Sequence, residues 1–506
     1  MWQKKFKSVC PVCDRPVDGL FYEENNQVFL KKTCPEHGEV RDLASSDAEL
    51  FSGKMDLVPE DYSEKCSLEK CGSGIFACQD HFARKSPITF IEVTTRCNMS
   101  CPVCYIDAGT KGRDIPLEDI KKIISEIKKH DPGTHLVLIG GEPTIHKDFF
   151  KILEAVREAG LIKRCYLATN GITLSSEEFC KKVYDAGIRW YYLAFDSVDK
   201  EMCKQVRGSY RSYEASRKTI ENLKKFSRAK IVLSVTVVKG VNDKGLPAVL
   251  DFAVRNKDVV KRISISAEVF CGRQTSSEDL LKKRITSECI ESILRRTLGN
   301  GAATMSLALY GTILKPLNLA GLLPKRTGIY TMPHPLCGNI GFLFRADDGS
   351  YFSVIGLAIK NSAADLYKYG KKVKDFSVRM EKRKKILRAK LFGNILWKLI
   401  AFCYYVPVYF GMILTFIKPS FVFRAVMAFP KSIFTGKKVS ECLLGKDRVE
   451  IHYLVSCDKY NFVWERMPYC ATHHYRIDAG TKKVTKMCGC YVFPFRSYAD
   501  SCNTMG

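Results

Sequence analysis

The sequence predicts an α/β fold: a partial TIM-type barrel of six βα units, preceded by one cysteine-bearing segment and followed by another. Three observations predict it. Between residues 88 and 269, short β-rich runs alternate with amphipathic helical stretches, the pattern of parallel strands joined by crossover helices. Several of the 22 cysteines stand at short, fixed spacings. A charge-free run, Leu399–Ile417, follows one of the most basic segments in the chain.

Residues 1–85 carry CPVC at 10–13, CPEHG at 34–38, and then Cys66, Cys71 and Cys78, which predicts a small metal-stapled domain. Cys10, Cys13 and Cys34 supply three ligands of a rubredoxin-like or zinc-ribbon site for a single iron or zinc, with His37 the nearest candidate for the fourth. Cys66, Cys71 and Cys78, with His81 close by, form a candidate second site. Residues 86–274 hold the barrel, with strands expected over 88–95, 135–141, 164–170, 190–196, 231–238 and 262–269. Six units fit a partial barrel, and strand counting alone leaves an open doubly wound sheet as the alternative. Residues 275–370 read as a connecting region with a lone Cys337 in the loop HPLCGN, residues 371–440 as a basic and apolar helical insert, and residues 441–506 as a second cysteine-rich domain. Cys337, Cys457, Cys470 and one of Cys488 or Cys490 make a candidate third site. Cys165, Cys180, Cys203, Cys271, Cys289 and Cys403 fall inside predicted elements or apolar runs and are expected to be small core residues.

The chemical centre is RCNMSCPVCY at 96–105, directly after the first barrel strand. Cys97, Cys101 and Cys104, spaced CxxxCxxC, can hold three corners of a [4Fe–4S] cluster and leave the fourth iron without a protein ligand. That open iron suits S-adenosylmethionine, whose amino and carboxylate groups can chelate it. A zinc knuckle would need a fourth Cys or His nearby, and the loop offers none. The second strand ends in Gly140-Gly141-Glu142-Pro143-Thr144, where glycines let the backbone approach a ligand and Glu142 can accept from an ammonium. The third ends in ATNG with Asn170, and the fourth in FDS with Asp196.

In this order on successive strands, these motifs resemble the radical SAM superfamily. The resemblance implies that Tyr105 follows the cluster cysteines as the family's aromatic and that Gly140, Gly141, Glu142, Pro143, Asn170 and Asp196 face the cofactor. It implies reduction of the bound sulfonium, a 5′-deoxyadenosyl radical and hydrogen abstraction from an unactivated C–H bond, with a ferredoxin or flavodoxin as electron donor. Auxiliary [4Fe–4S] clusters, one or two, are implied by the outlying cysteines. No general base is required, so His146 and His334 are read as structural. The overall layout is similar to the branch that holds archaeal tetraether lipid synthases and their pterin-methylating relatives.

The formal charge of +26 would suit RNA, an anionic membrane or an acidic substrate. Its placement narrows the choice. Residues 371–390 hold ten Lys or Arg against two acids, immediately before the apolar run. A single crossing would part the cysteines on its two sides, and Pro407 and Gly411 are expected to interrupt a straight helix. A segment lying in the membrane interface or lining an apolar cavity is the reading that remains. MWQKKFKSVC has no secretory apolar core, so a cytoplasmic enzyme, peripheral on the inner membrane face, is expected. Its expected substrate is a lipid alkyl chain, joined to another by a C–C bond; the alternatives are radical methylation of a pterin-like molecule and RNA modification. No stacking or base-reading module is visible, so no nucleic acid is expected.

Overall fold

The computed structural model describes residues 2–58, 86–274, 280–298, 304–321, 334–345, 351–353, 356, 363–388, 393–435, 448–454, 456–470, 472–478 and 481–486. Cys66, Cys71, Cys78, His81, Cys488 and Cys490 lie outside them. The chain forms two compact units, one of Met1–Ser46, Glu60–Ile290 and Tyr453–Gly506, the other of Asp47–Pro59 and Glu291–His452.

The first unit opens with a four-stranded antiparallel sheet, β1 (Gln3–Val9), β2 (Pro16–Glu24), β3 (Gln27–Cys34) and β4 (Gly38–Ser45), in sequential order. The β2–β3 hairpin turns on Asn25 and Asn26 alone, both at positive φ, the conformation a two-residue hairpin loop demands and asparagine tolerates.

The barrel strands are β5 (Ile88–Thr94), β6 (His135–Gly140), β7 (Cys165–Thr169), β8 (Trp190–Ala194), β9 (Lys230–Val237) and β10 (Val260–Ala267). All are parallel and lie side by side in chain order. An open doubly wound sheet would reverse its order at a switch point, and none occurs here. Alternation along each strand separates two faces. Ile91, Leu138, Leu167, Leu193 and Leu233 point outward and are solvent-free, whereas Phe90, Ala168, Trp190 and Tyr192 on the inner face keep partial exposure. The outer face is sealed by amphipathic helices. Leu117–His130, for example, buries Ile120, Ile123, Ile124 and Ile127 at three- and four-residue spacing, about 2 kcal/mol for each side chain.

The end of the chain returns to this unit. Thr472–Asp478 pairs in parallel with β5, extending the barrel sheet at its first strand. Ser8 donates to the Phe462 carbonyl at 2.6 Å, and the buried Lys32 ammonium reaches the carbonyls of Val9 and Lys459. Burial pulls the Lys32 pKa down to about 8. Arg284 lies between two solvent-free carboxylates, Asp42 (Nη2–Oδ2 2.5 Å) and Asp458 (Nη1–Oδ2 2.7 Å), tying three distant segments together.

In the second unit, the helix Ala363–Arg388 packs Tyr369, Val373, Phe376 and Met380 against Trp397, Ala401, Tyr405 and Tyr409. Those last four belong to a continuous helical run, Gly393–Leu414. The expected interruption at Pro407 and Gly411 does not occur. Residues Ala401–Tyr405 form a π-turn in which the Val406 N–H donates to the Ala401 carbonyl, five residues back, and the widened turn accommodates the proline ring that follows. The same turn corrects the reading of Cys403 as a core residue, since its side chain is exposed. Cys165, Cys180, Cys203 and Cys271 are buried as expected, and Cys289 is half-buried.

Candidate active site and metal centres

β5 delivers the chain into the loop 95–114, which is closed at its base by an ion pair. Arg96 donates to Asp114 through Nε (2.9 Å) and Nη2 (2.7 Å), and Thr94 Oγ1 and the Lys147 N–H donate to the same carboxylate. Burial alone would raise the Asp114 pKa, but these donors outweigh it and hold the carboxyl at about 2. A carboxylate depressed on folding adds stability that is present above its unfolded pKa and lost as pH falls through the folded one. Between about pH 4 and pH 2 the chain should therefore lose about 2 kcal/mol at this site. Urea unfolding of Asp114→Asn should show a flatter profile across that window, with a lower plateau at neutral pH.

Within the loop, Cys97, Cys101 and Cys104 are grouped with Met99, Ile106, Ala108 and Ile172. Burial pushes the Cys97 thiol up to about 11 and raises Cys101 as well, so metal binding must displace protons. The Ala108 N–H points at Cys104 Sγ (3.2 Å) and Asn170 Nδ2 at Cys97 Sγ (3.9 Å), donors suited to thiolate ligands. Three thiols with apolar walls and N–H donors fit a cluster held on one loop.

The strand ends converge on this loop. Gly141 and Glu142 donate their N–H groups to the carbonyls of Thr94 (2.8 Å) and Arg96 (2.9 Å). A Cβ on Gly141 would lie 2.0 Å from the Arg96 carbonyl oxygen, so the residue must be glycine for the two backbones to meet. Gly141→Ala should displace Arg96 and Cys97 and lower the rate of S-adenosylmethionine cleavage about 100-fold, the cost of an ångström-scale misplacement, as read by 5′-deoxyadenosine formation.

Glu142 is solvent-free. Its Oε1 accepts from the Thr144 and Thr169 hydroxyls and Oε2 from the Asn170 N–H (2.7 Å), while burial raises its pKa. The carboxylate thus joins the ends of β6 and β7. Pro143 opens the short turn Pro143–Ile145, and Asn170 Nδ2 donates to Asn98 at 2.7 Å. Asp196 is committed to a neighbour: both its oxygens receive Arg207 (Nε 2.5 Å, Nη2 2.9 Å), and Oδ1 also accepts from the Thr236 N–H. Tyr105 is half-buried, and its carbonyl accepts from the Cys271 thiol.

Two arginines at the site went unnoticed in the sequence. Arg207, held by Asp196, lies near the Cys101 thiol, and its positive charge works against the burial that raises that thiol's pKa. Arg273 spans the cluster loop, donating to the carbonyls of Cys101 (2.5 Å) and Ala108 (2.7 Å) and to Asp107 (2.9 Å). Gly272 beside it touches the Tyr105 backbone, 2.4 Å from where a Cβ would stand. The signal for this brace is CGR at 271–273, just past the sixth strand, in the position where the first four barrel strands end in functional motifs.

The N-terminal sheet carries a separate centre. Cys10, Cys13, Cys34 and His37 bring their ligand atoms within 4.8 Å of one another. Cys13 and Cys34 Sγ are 3.9 Å apart, and His37 Nδ1 lies 3.8 Å from Cys10 Sγ and 3.5 Å from Cys34 Sγ. Tetrahedral zinc, with bonds of about 2.3 Å to sulfur and 2.0 Å to nitrogen, requires edges of about 3.5–3.8 Å. His37 stands at the fourth corner. Its hydrogen bond, helped by the Glu36 N–H, draws the Cys34 thiol down to about 6.

Cys337 lies in the second unit, its N–H donating to the His334 carbonyl. Cys457 and Cys470 are buried in the first. His146, solvent-free, bonds the Ile115 carbonyl through Nε2 (2.9 Å), and the Asp148 N–H donates to its Nδ1, in keeping with a structural role.

Residues 91–253 match the radical SAM superfamily, and residues 2–46 match the HMPTM N-terminal zinc ribbon domain. The chain is 29% identical over 500 residues to the 7,8-dihydro-6-hydroxymethylpterin dimethyltransferase of Methanocaldococcus jannaschii, a span of 93% of this chain and 90% of that relative. It is 28% identical over 218 residues to the Fe-coproporphyrin III synthase of Methanosarcina barkeri, covering 42% of this chain and 52% of the relative. With the GTP 3′,8-cyclase of Shewanella denitrificans it shares 30% identity over 201 residues, 39% of this chain and 58% of the relative.

Proposed function

The chain is a radical SAM enzyme, and we propose that the reaction it directs is carbon methylation of a pterin-like small molecule. Its domain implies a [4Fe–4S] cluster and S-adenosylmethionine, which together supply reductive cleavage of the sulfonium and a radical able to take hydrogen from an unactivated C–H bond. The residues here bind, orient and exclude water. Cys97, Cys101 and Cys104 would hold the cluster, braced by Arg273, while the Gly140–Pro143 turn and Asn170 would line the cofactor's place at the carboxyl ends of β5–β7. Cys10, Cys13, Cys34 and His37 would bind zinc and stiffen the N-terminal sheet. Electrons would come from a ferredoxin or flavodoxin.

The observation that carries this reading is the extent of the similarity to the pterin dimethyltransferase. It reaches from the zinc ribbon through the barrel and on across residues 371–440, far beyond what the shared catalytic domain requires. The coupling of lipid chains, expected from the apolar run, finds no support in these relatives. Reconstituted enzyme given S-adenosylmethionine, a strong reductant and 7,8-dihydro-6-hydroxymethylpterin should yield pterin carrying one or two added methyl groups by mass spectrometry. An unchanged pterin, alongside lipids that lose hydrogen or join, would overturn it in favour of the lipid reading.

A further inference from the structure

We propose that the second unit docks on an anionic bilayer surface through the helices Gly393–Leu414 and Pro419–Thr435, which lie in the membrane interface without crossing it. The first observation is the identity of what these helices show to water. Leu399, Phe402, Tyr404, Phe410, Phe423 and Met427 are each about half or more exposed. Single exposed apolar residues are ordinary, but a patch built from two successive helices marks a surface that meets something apolar.

Length and composition would allow a crossing. The run Gly393–Leu414 has 22 residues, about 33 Å as a helix, against a hydrocarbon core of about 30 Å. Packing argues against it. One stripe, Gly393, Trp397, Ala401, Tyr405 and Tyr409, is buried along the whole length of the run. Its cover is the antiparallel helix Ala363–Arg388: Tyr369 stacks on Phe416 (3.7 Å between centroids), Phe376 meets Tyr405 (5.7 Å), and Lys384 lies 5.6 Å from the Trp397 ring. Lys384 and Trp397 both donate to the Leu319 carbonyl, pinning that end to a third helix. A crossing would therefore carry the exposed Lys371, Lys372, Lys382, Arg383 and Lys385 of the covering helix into hydrocarbon, where charge is strongly disfavoured. A helix held down on one side and apolar on the other belongs in the headgroup region.

Charge identifies the occupant. Residues 393–435 contain Lys398, Lys418, Arg424 and Lys431 and no acid. Lys398, Arg424 and Lys431 are exposed among the apolar side chains. A second copy of this chain would bring the same cations against each other, whereas each Lys or Arg near an anionic lipid surface strengthens binding about fivefold.

The test uses the reconstituted full-length enzyme, sedimented with vesicles of phosphatidylcholine alone or mixed with phosphatidylglycerol. Binding to the mixed vesicles is expected to be at least tenfold tighter, to weaken with salt, and to be released by an alkaline carbonate wash. Phe402→Glu with Phe410→Glu should lower binding at least tenfold while leaving 5′-deoxyadenosine formation and the unfolding temperature unchanged. Should that pair fail to fold, Lys398→Gln with Arg424→Gln and Lys431→Gln reads the electrostatic share alone, with loss on mixed vesicles and none on phosphatidylcholine. Wild-type enzyme that stays in the supernatant with both vesicles would overturn the proposal, as would retention through the carbonate wash. A dimer that Phe402→Glu converts to monomer, with no vesicle binding, would assign the patch to a second copy instead.

Discussion

Cys101→Ala should abolish S-adenosylmethionine cleavage: no 5′-deoxyadenosine above background, and loss of the visible absorbance and iron of the loop's cluster. The thiols at 97, 101 and 104 sit together on one loop, and removing one leaves two of the three sulfurs that a cluster there requires. The effect should exceed the roughly 10–100-fold cost of losing an outer partner to a metal site. Arg273→Gln, which cuts the loop's brace without touching a thiol, should fall within that smaller range. Cys13→Ser, in the N-terminal centre, should lower zinc content and leave cleavage of the cofactor in place. A Cys101→Ala enzyme that still cleaves the cofactor would remove the loop from the chemistry altogether.

Arg284→Met should cost about 3–5 kcal/mol of stability, the range for breaking a buried ion pair from one side. Asp42 and Asp458, both solvent-free, would lose the guanidinium between them and keep only the buried Lys32 ammonium near both. Burial already raises the Asp42 carboxyl with the arginine present. Without it, the Asp42 carboxyl rises further, and a carboxyl raised on folding gives stability that is full below its unfolded pKa and lost as pH climbs through the folded one. The variant's deficit in urea unfolding should therefore shrink as pH is lowered from 7 towards 5. Asp42→Asn with Arg284→Met and Asp458→Asn should recover much of it, because the loss comes from stranded charge and not from an absent attraction. A deficit that is the same at both pH values would mean the triad is not the cause.

The barrel was legible because its strands announce themselves locally. ITFIEVT, HLVLIG and IVLSVTV bury one whole face under helices, and their apolar alternation survives in the sequence whatever surrounds it. The cluster loop was equally plain, since its spacing must bring three thiols onto one turn. Other features depend on partners far away in the chain. Thr472–Asp478 reads as a polar segment, THHYRID, and becomes a strand because β5 offers it an edge. Arg273 acts on carbonyls about 170 residues earlier, and Asp196 finds its partner in Arg207 on the following helix. The Pro407 helix shows a different limit. A proline's local cost was readable, but the π-turn that relieves it is stabilised by Trp397, Tyr405 and Tyr409 packing on another helix.

The pairing of Thr472–Asp478 with β5 sets a clock on the birth of this protein. The first barrel strand leaves the ribosome with one edge destined for a partner almost four hundred residues downstream. At about 5–20 residues per second, that edge waits on the order of half a minute, with its N–H and C=O groups open to any passing strand. Contacts so distant in sequence also form slowly once both sides exist. Metal loading at the adjoining loop can become secure only after translation is nearly complete. Overproduction that outpaces chaperones or iron supply should thus fail first by aggregation of early chains, and a lower expression level, which reduces the number of waiting chains without lengthening the wait, should raise the yield of soluble enzyme more than added iron.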